Sequence, residues 1–293
     1  MASQAGRSDR AYFYTDYMDL KDAHDVYVYE NRQEDIVKYT IVVIRDGGIF
    51  TINRPYIDAT AVYEDTKFKP FAVAFSKDKF YVTATKTIQL FDSKFKRQDT
   101  LEDKELISPK GIYAGDNRLY VVNGKHEDPS NKTAIFIFDL DMKKISKFAE
   151  GNFVDPWSLK VNLTETMIFV SDTGAREVKI FDNERRKLVR TIPMPQHGGR
   201  QMQCRGLDID ENDNVFVALR VEGLRRQYEC IRMYPKGVKY SYIFSKACHR
   251  LDLLKAFFPA ENICTALKRM SRNSSIYSIT KYFISFEVSI TKR

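Results

Sequence analysis

The feature that most constrains this chain is a fourfold stroke that recurs along it. From Trp157 to Ile192 four short apolar runs, Trp157–Val161, Met167–Ser171, Val178–Phe181 and Lys187–Ile192, are separated by Asn, Asp, Thr and Gly. β-Branched and aromatic residues suit a pleated surface, and the spacers suit tight turns, so the runs are strands with no room for a helix between them. One such meander cannot bury both of its faces, so neighbouring copies must cover it. Copies are present as Pro109–Tyr113, Arg118–Val122 and Ile135–Asp139, as Pro70–Phe75, Lys79–Val82 and Ile88–Asp92, and as Gly206–Asp210, Asn214–Ala218 and Cys230–Tyr234. Phe91, Phe138 and Phe181, each followed by Asp, recur about 45 residues apart, the spacing of blades in a β-propeller.

The repeat is clear over 69–244 and irregular over 10–65. Ala11–Thr15, Asp25–Tyr29 and Ile36–Thr40 read as a first unit lacking an inner strand. Val42–Ile44, the Asp46-Gly47 turn, Ile49–Ile52 and Ala61–Tyr63 read as a short second one. The expectation is therefore an all-β, six-bladed β-propeller over 1–244. Residues 245–280 match no repeat; Leu251, Leu254, Phe257 and Phe258 predict a short helix stopping near Pro259, a helical or irregular insertion. In 281–293, Tyr282–Ile290 alternates with period two and is a candidate ring-closing strand.

The order Pro-x-Gly-Ile, Tyr-Val-x-Asp, Ile-x-Phe-Asp resembles the NHL repeat, with Val170-Ser171-Asp172-Thr173-Gly174 leading to Val178–Asp182 as its best copy. The resemblance implies an NHL-type propeller acting as a non-enzymatic interaction platform for a protein partner, as in the tripartite-motif NHL proteins. The sequence holds no RING or B-box cluster of Cys and His, which separates it from their ligase module. Some NHL propellers bind RNA, so RNA on the same face is the alternative. A third reading is a metal-dependent lactonase-like hydrolase. Gluconolactonase and regucalcin-like propellers hold a metal with Glu, Asn and Asp, and Asn123 and Asp172 stand where two such ligands would, with no Glu to complete the set. The amidating lyase, another relative by repeat, needs clustered histidines; His24, His126, His197 and His249 form no pair at ligand spacing.

Loops carry function while strands carry packing. In a meander ring, the loops from second to third strand and from one blade to the next gather on one face. That face collects Lys125, Lys132, Arg176, Arg200, Arg205, Arg220, Arg225 and Arg226, with the aromatic residues Tyr56, Phe153 and Tyr228. Arg for phosphates and aromatic rings for bases is the chemistry of single-stranded RNA recognition; solvated loop charge is the plainer account, and the opposite face is basic too. Trp157 follows Pro156 at the head of an inner strand, where it either rims a ligand mouth or anchors one blade on the next.

A net charge of +8 reads either as a solvated basic surface or as a polyanion-binding face, and 43% hydrophobic residues suffice for a large core. The N-terminus shows no apolar leader, no run approaches a membrane span, and Cys204, Cys230, Cys248 and Cys264 form no Cys-x-x-Cys pair. These features predict a cytoplasmic monomer with reduced thiols, no membrane contact, and no cofactor or metal. Three Asn-x-Ser/Thr triplets, at Asn131, Asn162 and Asn273, are discounted without an export signal.

Overall fold

The computed structural model describes residues 23–33, 36–53, 59–124, 133–221, 228–237 and 241–247. Ala11–Thr15, the expected helix near Leu251–Phe258 and the expected closing strand Tyr282–Ile290 lie outside the described residues.

Turn residues divide the chain into antiparallel meanders. The first comprises β1 (Ala23–Gln33), β2 (Ile36–Arg45), β3 (Gly48–Asn53) and β4 (Ala59–Glu64). The second has β5 (Pro70–Ser76), β6 (Lys79–Ala84), β7 (Thr87–Asp92) and β8 (Arg97–Glu102). The third has β9 (Pro109–Ala114), β10 (Arg118–Asn123), β11 (Ala134–Asp139) and β12 (Lys144–Phe148). The fourth has β13 (Pro156–Val161), β14 (Met167–Asp172), β15 (Glu177–Asp182) and β16 (Lys187–Pro193). A small hairpin follows, β17 (Gln196–His197) and β18 (Arg200–Gln201). The last has β19 (Gln203–Ile209), β20 (Val215–Val221), β21 (Tyr228–Tyr234) and β22 (Tyr242–Ala247). Each of the five sheets pairs its strands in sequence order.

The arrangement is a β-propeller with five blades among the described residues, where six were expected. The miscount arose in the first blade. Ile36–Thr40 and Val42–Ile44 are a single strand of 10 residues, β2, pairing β1 on one side and β3 on the other. No Gly, Pro, Asn or Asp interrupts it, so nothing turns the chain between the two halves. This blade also has its inner strand, β1, in front of β5.

The cores lie between blades. Val42, Ile44 and Ile49 pack on Phe80, Val82 and Phe91 of the second blade. Tyr81 and Leu90 meet Ile112, Val121 and Phe136 of the third. Tyr120, Ile135 and Ile137 meet Leu159, Ile168 and Phe181 of the fourth. Phe169, Val178 and Ile180 meet Leu207, Val217 and Leu219 of the fifth. Period-two alternation supplies both faces of every inner blade with such residues. The Phe-Asp landmarks do two jobs: Phe91, Phe138 and Phe181 are buried, while each Asp holds the next hairpin. Asp92 Oδ1 accepts from the Lys94 and Lys96 amides, both at 2.9 Å, and Asp139 and Asp182 repeat this with Lys143 and Arg185, both at 2.8 Å.

Backbone hydrogen bonds fix which loops share a face. The Gly47 amide donates to the Phe68 carbonyl (2.8 Å), Gly124 to Ser108 (3.1 Å), Thr173 to Asp155 (2.9 Å) and Met194 to Arg176 (3.0 Å). Each joins a second-to-third-strand loop to a connection between blades, so both kinds lie together on what we call the upper face. β3 begins at the upper-face turn and ends at Asn53 on the opposite side of the blade, where an upper-face loop was expected; residues 54–58, with Tyr56, lie outside the described residues.

Candidate functional site

All five inner strands are bulged near their upper ends. Register breaks between Ala23 and Asp25, Pro70 and Ala72, Pro109 and Ile112, Pro156 and Ser158, and Cys204 and Leu207. A bulge leaves its extra residue out of the ladder and re-aims the side chain. The residues left out of the ladder are His24, Phe71, Lys110 with Gly111, Trp157, and Arg205 with Gly206. His24, Phe71 and Trp157 line a cavity of about 50 Å³ on the propeller axis, together with residues from every inner strand.

Side-chain relays hold the bulges. The Ala72 amide donates to Thr83 Oγ1 (3.0 Å), which donates to the Lys110 carbonyl of the next blade (2.6 Å). The Ser158 amide and Ser171 Oγ repeat the pattern at 3.0 Å, and Ser171 reaches the Arg205 carbonyl at 2.6 Å. Thus the two cations of the collar are placed by hydroxyls from the preceding blades. Both then meet one ring: Lys110 Nζ lies 4.5 Å and Arg205 Cζ 4.8 Å from the Trp157 centroid. Lys110 is almost fully buried and paired with Asp155 at 2.5 Å, whereas Arg205 is half-buried. His24 meets Phe71 edge-on, centroids 6.3 Å apart.

Below the collar sits a charge cluster from three blades. Lys160 Nζ pairs with Asp208 Oδ1 at 3.5 Å, and Asp25 accepts from the Val73 amide at 3.0 Å. Burial pushes the Asp25 carboxyl up to about 6 and that of Asp208 up to about 7, with the Lys160 ammonium pulling both back. Asp208 is buried, and neither of its carboxylate oxygens has a hydrogen-bond partner among the described residues.

A second concavity lies beside the fourth blade. Arg176, from the loop between β14 and β15, and Arg200, from β18, line a cleft of about 470 Å³ with Gln196, Gly199, Gln201 and Gln203. Gly198 and Gly199 have φ of 58° and 74°, the two left-handed residues that a two-residue hairpin turn needs. The hairpin is rooted by Met194 and Met202, both buried against the fifth blade.

Of the basic residues expected on this face, Arg176 and Arg200 come together at the cleft and Arg205 joins the axial collar. Arg220 lies on β20 rather than in a loop, with Nε 3.5 Å from Gln203 Oε1. Phe153 is a correction: it is only 5% exposed, packs on Phe181 with centroids 5.5 Å apart, and takes no part in a surface. Tyr228 opens β21, and Tyr56, Lys125, Lys132, Arg225 and Arg226 lie outside the described residues. Trp157 has both roles weighed for it, mouth and inter-blade anchor. His24, Phe71 and Lys110 were missed; the signal available was the recurring Pro before Phe71, Lys110 and Trp157.

The two positions suited to a lactonase metal are engaged in the fold. Asn123 accepts from the Ser108 amide (3.0 Å) and donates to the Glu105 carbonyl (2.8 Å). Asp172 accepts from the amides of Val154 (3.0 Å) and Asp155 (2.9 Å) and from Lys179 Nζ (2.8 Å). Among the described residues no three His, Cys, Asp or Glu side chains are grouped to hold a metal ion. No helix among them is long and apolar enough to cross a membrane.

No family model matches the chain, and no curated protein does. Solved structures share the fold. A chain in the crystal structure of a nidogen/laminin complex is similar at 13% identity, with a TM-score of 0.53 over 62% of this chain and 70% of that one. Hydrazine synthase of Kuenenia stuttgartiensis is similar at 12% identity, with a TM-score of 0.50 over 71% of this chain and 62% of that one.

Proposed function

We propose that this protein is a non-enzymatic interaction platform of NHL-like type, whose upper face holds an acidic segment of a partner protein. The observation that carries this reading is the axial collar, where bulges from different blades gather two cations on the one tryptophan. Trp and Arg are the residues most enriched at binding hot spots, and a rigid ring presents them without an ordering cost. The net charge of +8 favours an acidic partner. The nidogen/laminin complex is an assembly in which a chain of this fold meets another protein. In this reading the protein works as a cytoplasmic monomer, and the buried Cys204 and Cys230, which form no disulfide among the described residues, suit a reducing compartment.

Trp157 is the chain's single tryptophan, so its emission reports on the mouth directly. A decameric polyglutamate peptide is expected to change that emission with a salt-sensitive affinity, and Arg205→Gln to weaken it about tenfold, the worth of one charge-assisted contact. Emission that stays constant throughout the titration would remove the proposal. A single-stranded RNA decamer that alone produces the change, with a steep salt dependence, would hand the face to nucleic acid instead.

A further inference from the structure

The floor of the axial cavity is short of one positive charge. Asp25, half-buried on β1, lines it together with Lys160 of β13. Asp208 of β19 adjoins them, its Oδ1 3.5 Å from Lys160 Nζ, so two carboxylates share one ammonium. Two further side chains there are matched elsewhere: Lys110 pairs with Asp155, and His24 bonds Asp46 at 3.1 Å. Arg205 stands at the collar against Trp157, Tyr27 adds a phenol to the lining, and β5 and β9 add only uncharged residues. Donors are short as well. Asp25 accepts from the Val73 amide at 3.0 Å, whereas neither oxygen of Asp208, 4% exposed, has a hydrogen-bond partner among the described residues. A buried carboxylate left in that state is costly, and either a proton or a bound cation relieves it.

The walls select among cations. A calcium or magnesium ion asks for about six oxygen ligands or more, and the floor offers two carboxylates with an ammonium already beside them. An organic ammonium needs only a few acceptors, which those carboxylates supply. Trp157 and Phe71 line the same cavity, and aromatic faces suit both a methylene stem and the charge at its tip. Size adds a condition. A cavity of about 50 Å³, against about 30 Å³ for one water in the liquid, admits the end of one unbranched side chain. The compact ammonium of lysine meets that limit better than the planar fork of arginine.

We propose that the axial cavity takes the ammonium of a lysine side chain carried by the acidic partner segment held on the upper face. The lysine stem lies along Trp157 and Phe71, its ammonium bonds Asp25, and Lys160 is left to close on Asp208. Two carboxylates then meet two ammoniums, and the acidic residues flanking the lysine meet the collar at Arg205. The inference rests on the platform reading but makes a separate demand, discrimination between lysine and its neutral analogue.

Calorimetric titration of the full chain with three polyglutamate decapeptides, identical except for a central lysine, acetyl-lysine or arginine, tests it. At pH 8 the lysine peptide is expected to bind at least about tenfold more tightly than the acetyl-lysine one, and more tightly than the arginine one. Asp25→Asn keeps the shape of the floor and should erase that preference. A second reading needs no variant. Both carboxyls must be ionised to hold the ammonium, and burial lifts them to about 6 and about 7. The preference for lysine should therefore shrink about tenfold between pH 8 and pH 5, where protons take the place of the ligand. Equal affinity for lysine and acetyl-lysine at pH 8, or a preference that persists undiminished at pH 5 or in a folded Asp25→Asn variant, overturns the anchor. If the preference is absent while polyglutamate still alters Trp157 emission, the anchor falls and the platform stands. If no peptide binds, both fall. Free n-butylamine that binds as tightly as the lysine peptide overturns the assignment to a partner chain.

Discussion

Asp208 shows how a single residue can carry a condition for the whole chain. Its carboxylate is buried at the axis with Lys160 at 3.5 Å and no hydrogen-bond partner for either oxygen among the described residues. Desolvation lifts it to about 7, above the ordinary carboxylate range. A carboxyl whose pKa is raised on folding contributes stability that is fully present below its unfolded value, near 3.9, and is lost as pH rises through the folded one. Stability from this group therefore declines between about pH 4 and pH 7 and then levels. Asp25, raised to about 6, adds the same trend over a narrower window. Asp208→Asn keeps the shape and removes the titration, so its stability relative to the parent chain should climb with pH across that window. Urea midpoints at pH 4.5, 6 and 7.5 measure this; parallel curves for the two proteins would show that the axis does not titrate there.

The elements that decide the site are inner strands and their bulges. β9 and β13 approach so closely that a Cβ on Gly111 would stand 2.4 Å from the Leu159 nitrogen and 2.8 Å from the backbone of Ser158. Backbone cannot step aside as a flexible side chain can, so the strands would have to separate. The same contact sets the distance between Lys110 and Trp157, one residue away on each strand. Gly111→Ala is expected to cost about 1–3 kcal/mol, the usual range for overpacking, and to shift Trp157 emission in the free protein. A stable variant with unchanged emission would mean that the collar is not governed by this approach. The hydroxyl relays of Thr83 and Ser171 act in the same region, since each holds a carbonyl next to a collar cation.

For the whole molecule, the decisive fact is that each blade is too thin to have a core of its own. Phe181, 1% exposed, packs with Phe148 and Phe153 at the contact between the third and fourth blades. Removing such a ring leaves a cavity shared by two blades. Phe181→Ala should cost about 3–5 kcal/mol and preserve one cooperative transition, because blades joined face to face lose their neighbours' cover together. Chemical denaturation followed by Trp157 emission and by far-ultraviolet circular dichroism is the measurement. A loss under about 1 kcal/mol, or two separated transitions, would show that the blades hold themselves independently.

What the amino-acid order determined alone was everything local. Alternation, turn residues and the Phe-Asp landmarks placed the strands from Pro70 to Tyr234, their sequential pairing, and the division of loops between two faces. Those signals act over two to five residues, so a linear reading can recover them. The tertiary structure alone decided the number of blades, because alternation marks which side of a strand is apolar and not which sheet will cover it. It alone gathered Asp25, Lys160 and Asp208 on one axis, brought Arg176 and Arg200 to one cleft, and drew Phe153 beneath the surface. These placements depend on register and on bulges, which come from pairing between segments and leave no periodic trace within one of them.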